Sequence, residues 1–289
     1  MISWLDIIVQ GILVGGFYAL FATGLSLIFG VMRLVNLAHG DFIILAAFAA
    51  LAIVQLTSIH PLFCLAAIIP LMAVLGYGLQ RGVLNRTLGK NILPPLLVTF
   101  GLSIVIQNGL LLAFSAASQQ LPMGNLTVAS VQLLPGLNVG LYPLGVLITA
   151  GAVIFGLQMF LYKTPLGAAL RATSDDSTTI RLMGIDNRHI FGLATALSFA
   201  VAGLAGVLIG GYTNFSPASG PSNLLFGFEA IIIGGLGNLW GTLIGGMILG
   251  VAQAVGAEIN PGYQVLAGHI AFFAILLAAP RGLFPRMAA

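Results

Sequence analysis

The stretch "GGLGNLWG", residues 234–241, interrupts an apolar run that extends over 227–257, and its reading decides the topology of the chain. The run is long enough to cross a hydrocarbon core roughly 30 Å thick. If it crossed once, the later Arg281 and Arg286 would lie on the opposite side from the other basic residues. A run that enters and returns to its own side keeps all of them together. Four glycines and Asn238 suit such a return, as two short helices meeting at a break or as a re-entrant turn. One long kinked helix is the alternative reading of the same residues.

Seven other apolar runs, at 7–29, 40–57, 62–79, 96–114, 141–161, 190–212 and 263–280, surround this one. Of the 289 residues 59% are hydrophobic, only 6% are charged, and 38 are glycine, which excludes an ordinary soluble domain. The expectation is an all-α polytopic membrane protein. It has about eight hydrophobic spans, the seventh broken or re-entrant, because a lipid-exposed backbone must satisfy its own hydrogen bonds. Ten Lys and Arg against seven acids are too few for a nucleic-acid surface. They fall in four groups: Arg33; Arg81, Arg86 and Lys90; the stretch 163–188; Arg281 and Arg286. Under the positive-inside rule these groups face the cytoplasm, and 115–140, 213–226 and 258–262, which hold none, face the periplasm. The lone Cys64 excludes an internal disulfide framework and reads as a small buried hydrophobe. Near the start, Asp6 without a basic residue is not the positive region of a cleavable signal, so the first helix is expected to remain.

Small residues are spaced for helix contact. Gly11, Gly15, Ala19 and Thr23 share one face of the first span; Gly241 and Gly245, with the offset pair Gly246 and Gly250, stripe the seventh. Polar residues at membrane depth are the candidate translocation path, since each costs several kcal/mol unless it lines protein or water. "MRLVNLAHGDF", residues 32–42, contributes Asn36 and His39. Asp41 of the same stretch also suits the positive end of the second helix, and the whole stretch can be read as a plain turn. In "TFGLSIVIQN", residues 99–108, Thr99, Ser103 and Gln107 recur at four-residue spacing and so share a face, fit for a path or for interhelical hydrogen bonds. Glu229 and Asn238 of the broken span complete the candidates. No residues show metal-ligand spacing, His39 included.

One segment is unlike the rest. "RATSDDSTTIRLMGIDNR", residues 171–188, holds six of the seventeen charges. Thr173 and Asp176 have capping-box spacing, Asp175 and Asp176 suit a helix start, Arg181 a helix end, and Gly184 a left-handed stop. The spacing predicts a helix of about ten residues from Ser174 to Met183, with Ile180 and Met183 as an apolar face that docks in a partner's groove. A solvated or membrane-surface helix is the competing reading.

Five stretches in order, "YALFATGLSLIFGVMRLVNLAHGDF", "TFGLSIVIQN", "LGAALRATSDDSTTIRLMGID", "IIGGLGNLWGTLIGGMILG" and "PRGLFP", make the chain resemble the permease subunits of bacterial branched-chain amino acid ABC importers. The likeness is closest to the first of the two permeases in such systems. It departs from the usual pattern at Leu37, Asp41, Asp175, Asn238 and Ala279, which loosens any inference about a particular amino acid. The resemblance implies a single transmembrane permease domain, 1–289, in the bacterial inner (plasma) membrane. It implies that the cytoplasmic loop 163–189 couples to an ATPase through Arg171, Asp175, Asp176, Ile180, Arg181, Met183 and Gly184. It implies a second homologous permease subunit, two ATP-binding cassette subunits and a periplasmic substrate-binding protein as partners. Relatives of the family also carry short amides, urea and aromatic acids. The chain lacks a phosphate-binding loop: "LGKN", residues 88–91, misses both the leading glycine and the hydroxyl residue. No catalytic residue and no cofactor are expected in it, and ATP belongs to the partner subunits. An ion-coupled secondary transporter, with Glu229 or Glu258 as its ionisable group, and a passive solute channel are the rival readings.

Overall fold

The computed structural model describes residues 2–88, 93–134, 136–176, 180 and 184–284. Ten long helices carry the chain: α1 (Ile2–Met32), α2 (His39–Thr57), α3 (Pro61–Leu79), α4 (Leu93–Phe114), α5 (Leu141–Lys163), α6 (Pro165–Asp175), α7 (Asn187–Tyr212), α8 (Gly220–Gly234), α9 (Leu239–Ile259) and α10 (Gln264–Ala278). Among the described residues eight helices are long and apolar enough to cross a membrane, so this is a multi-pass membrane protein. The two exceptions are α6 and the 15-residue α8. A π-helical turn, Gln80–Leu84, extends α3 to Thr87.

The run 227–257 divides where its glycines fall. α8 stops at Gly234; Gly235 and Gly237 take φ of 107° and 78°, a backbone that residues with a Cβ rarely adopt. Asn238 then caps α9, its Oδ1 accepting from Gly241 N at 3.0 Å. The two helices return on each other as an antiparallel hairpin, with Gly234 against Gly241 and Ala230 against Gly245. Two helices meeting at a break are thus the observed form, and the long kinked helix is excluded.

This turn lies at one end of the bundle with the C-terminal segment. Leu283 N donates to Ile233 O at 2.9 Å, Phe284 N to Gly234 O at 3.1 Å, and Gly237 touches Gly30 near the end of α1. The described basic residues, Arg33, Arg81, Arg86, Lys163, Arg171, Arg188 and Arg281, all follow spans that finish at this end or precede one that starts there. At the opposite end an unforeseen element appears: β1 (Ser130–Leu134) and β2 (Leu137–Gly140) pair antiparallel, in a stretch expected only as a connection between helices. It is tied to the start of α1, where Asn138 N donates to Asp6 Oδ1 at 3.2 Å. Residues 119 and 215 form a further bridge there.

α1 is the axis, with 83% of its apolar window buried, whereas α4 and α10, at 17% and 6%, lie on the outside. Helix α9 packs along α1 in close contact. A Cβ on Gly11 would sit 2.5 Å from Val251 Cα, and one on Gly15 equally near Met247 Cα, while Gly246 and Gly250 meet α1 from the other side. Both small-residue stripes are packing seams, α1 to α9 and α8 to α9, as van der Waals association in lipid favours.

Candidate functional site

The polar stretch after α1 does not stay at the bundle's end. His39, the first residue of α2, lies against Gly24 and Phe199, with ring centroids 6.4 Å apart in the latter pair. Gly24 is eight residues before the end of α1, about 12 Å inside at 1.5 Å per residue. The link 33–38 therefore dips into the bundle, and α2 starts deep within it. Asn36 builds that start: its Oδ1 accepts from Ala38 N at 3.0 Å, its carbonyl accepts from His39 N at 3.1 Å, and Thr99 Oγ1 accepts from Leu37 N at 3.2 Å. Asn36, His39 and Asp41 are all buried, at 0%, 1% and 1% exposure. That such polar side chains lie at this depth is the unusual feature of the fold.

α4 turns one polar face to them. Thr99 and Ser103 are buried and Gln107 half-buried, whereas Phe100, Ile104 and Val105 point away. Gln107 Nε2 donates to Ser103 Oγ at 2.9 Å, and both side chains lie beside the Asp41 carboxylate. The first residue of α8 closes the group from the third side, for a Cβ on Gly220 would overlap Asp41 Oδ1. Neither carboxylate oxygen of Asp41 completes a hydrogen bond, nor does either ring nitrogen of His39 or the Nδ2 of Asn36. From Gln107 an open cleft continues past Asn108, Ser216 and Pro217. Thr99 thus joins Asn36 at the link before α2, and Ser103 and Gln107 on the same face of α4 join Asp41 in its first turn; His39 turns to α1 and α7.

The remaining two path candidates stand elsewhere. Asn238 is the α9 cap, and its Nδ2 donates to Phe284 O at 2.9 Å, which holds the C-terminal segment. Glu229 belongs to a second buried group: its Oε1 lies 2.5 Å from His269 Nδ1 on α10. Next to it the Tyr18 hydroxyl donates to Gln253 Oε1 at 2.5 Å. Tyr18, Gln253 and His269 escaped the sequence reading. The signal for the last two was a polar residue inside an apolar run. Among the described residues no group of three or more His, Cys, Asp or Glu is placed to hold a metal ion.

The expected helix from Ser174 to Met183 lies mostly outside the described residues, and the start assigned to it needs correction. The described helix of the loop 163–189 is α6, which starts at Pro165 with Thr164 as cap, the Oγ1 accepting from Gly167 N at 3.0 Å, and ends at Asp175. Thr173 is no cap: it is buried in the last turn and donates to Ala169 O at 2.7 Å. A proline at the first helical position after a threonine cap outweighs the capping-box match downstream. Gly167, Leu170 and Thr173 form the inward face; Asp175 and Asp176 are exposed, and the Arg171 guanidinium lies 4.2 Å from the Tyr162 ring centre. A helical residue does follow, since Ile180 N donates to Asp176 O at 3.3 Å, and Gly184 is left-handed with φ of 82°. Ile180 is 6% exposed, so its side chain is largely covered within this chain. Arg181 and Met183 lie outside the described residues.

Comparison with known proteins places these features in context. Residues 7–279 match the family described as "Branched-chain amino acid transport system / permease component". The high-affinity branched-chain amino acid transport system permease protein BraD of Pseudomonas aeruginosa is 31% identical, over 98% of this chain and 96% of its own length. The corresponding permease protein LivH of Salmonella typhimurium is 27% identical, over 96% and 94%. A shorter similarity, 28% identity over 127 residues, links the chain to the permease protein LivM of Escherichia coli, covering 43% of this chain and 30% of LivM. No solved structure matches the chain.

Proposed function

Because the chain belongs to the family of branched-chain amino acid transport system permease components, we propose that it is the membrane-embedded permease subunit of an ABC importer for branched-chain or related hydrophobic amino acids. The observation that carries this reading is the unbroken match across residues 7–279, which takes in the buried polar group, the α8–α9 hairpin and α6. Solute passes along the line from the cleft at Gln107 and Asn108 to Ser103, Asp41, Thr99 and Asn36. The buried polar atoms without partners support this line, because they are unsatisfied in the form described and would find partners in a solute or in water when the helices part.

Partner subunits supply the rest. Two ATPases bind and hydrolyse ATP, a second permease related to this one completes the path, and a periplasmic binding protein delivers solute. The relatedness to LivM supports the second permease. The loop 163–189 at the basic end is the coupling segment, with the outward side of α6 and the exposed Asp175 and Asp176 toward an ATPase. The family and the charge asymmetry support an inner-membrane location with the basic end cytoplasmic.

Uptake of radiolabelled leucine, isoleucine and valine into proteoliposomes, with the partner subunits, binding protein and ATP each omitted in turn, tests this reading. Accumulation that needs all of them is expected. Uptake by this chain alone, with or without an ion gradient, would refute it in favour of a secondary transporter or channel.

A further inference from the structure

The geometry points to Asp41 as the residue in the path that takes the ammonium group of the solute, and so makes the permease itself selective for solutes with a cationic amine. The inference rests on the transport reading above and adds the chemistry of recognition to it.

Asp41 is 1% exposed and neither of its oxygens has a hydrogen-bond partner. Such a group is expensive to bury without a partner. Asp41 lies in the first turn of α2, and its carboxylate rests on the first residue of α8, so the positive ends of two helices converge on it. Ser103 and Gln107 lie beside it with hydroxyl and amide hydrogens. What it lacks is a cation. The described Lys and Arg residues are all at the basic end of the bundle, and the one nearest in sequence, Arg33, is exposed. Among the described residues no Lys or Arg pairs with Asp41, and a solute can bring that cation.

The way in is also present. Gln107 both lines the outer cleft and adjoins Asp41, so a solute moving inward meets the carboxylate next after the amide. An ammonium offers three donors to Asp41 and to the oxygens of Ser103 and Gln107, and brings the missing charge. A neutral amide or urea brings no charge, and a carboxylate is repelled. Glycine at 220 is required for the same reason, since a side chain there would displace the carboxylate.

The test uses the purified complex with its ATPase and partner permease, without binding protein and in sodium-free buffer. Tritiated leucine is bound by scintillation proximity, and the same preparation is assayed for ATP-driven leucine uptake with binding protein added. Isopentylamine, which keeps the ammonium and the side chain, should displace leucine at least tenfold more effectively than 4-methylpentanoate, which keeps the carboxylate instead. Asp41→Asn, close in shape, should lose at least tenfold in leucine affinity and no longer favour the amine over the acid; Asp41→Glu should stay within threefold of the parent. Asp41→Asn that binds and carries leucine like the parent would show a purely structural carboxylate and overturn the assignment. Equal displacement by amine and acid, a requirement for sodium, or uptake without any binding in the permease would overturn it too, while leaving the transport reading intact. A complex that accumulates no amino acid even with binding protein and ATP refutes that reading, and the anchor with it.

Discussion

Glu229 and His269 illustrate what a buried pair does at the residue scale. The Glu229 side chain is 3% exposed and that of His269 is 30% exposed, so the pair fastens the outer helix α10 to α8 from the inside. His269→Leu leaves the carboxylate buried without its partner. It should lower the stability of the detergent-purified protein by about 1–3 kcal/mol, the range for hydrogen bonds to charged groups and for polar contacts between membrane helices. Adding Glu229→Leu should recover part of that loss, because removing both partners is cheaper than orphaning one. Thermal unfolding of the two variants against the parent measures both expectations. The same residue separates the transport readings: Glu229→Gln should keep ATP-dependent uptake within about threefold, whereas a proton-carrying acid at membrane depth could not be replaced so.

At the scale of elements, the contact between α1 and α9 governs whether the bundle closes. Gly15→Leu drives a side chain into the Met247 backbone, where the neighbour is main chain and cannot yield. It should cost more than the roughly 1–3 kcal/mol typical of overpacking, seen as loss of monodisperse protein in size-exclusion chromatography. Gly151→Ala on α5 has open space around it and should be neutral or stabilising by up to about 1 kcal/mol through helix propensity. Ile180→Asp belongs to the same scale. With the parent side chain covered by its own chain, the substitution should destabilise the 163–189 segment by about 2–5 kcal/mol, as a charge put into a buried contact does. Faster proteolysis of this segment in the isolated permease, before any ATPase is present, is the expected sign. Unchanged cleavage together with lost ATPase binding would instead restore Ile180 to the partner surface. Sequence reading missed α6, whose cap Thr164 and first residue Pro165 sit upstream of the Thr173 and Asp176 capping-box match, while most of the helix it expected from Ser174 to Met183 lies outside the described residues.

For the whole molecule the basic end and the β-hairpin end should face opposite sides of the membrane. Single cysteines at Asn260 and Asp175, both exposed positions, in a Cys64→Ala background should react with an impermeant thiol reagent from the periplasm and from the cytoplasm respectively. Reaction of both from the same side would end the topology. By itself the sequence determined the number and nature of the spans and the break at 234–241, because hydropathy and backbone freedom are local properties that a few consecutive residues express. It determined the two glycine seams for the same reason. The β-hairpin was hidden, since its short strands pair only across a turn and against the start of α1. Only the tertiary structure decided which polar residues meet. Thr99, Ser103 and Gln107 share a face by helical spacing, but that Asp41 and the start of α8 join them while Glu229 turns to His269 depends on how deep α2 begins and how α8 is rotated. Those quantities are set by packing along α1, in which every helix constrains the others, and no single stretch of the chain contains them.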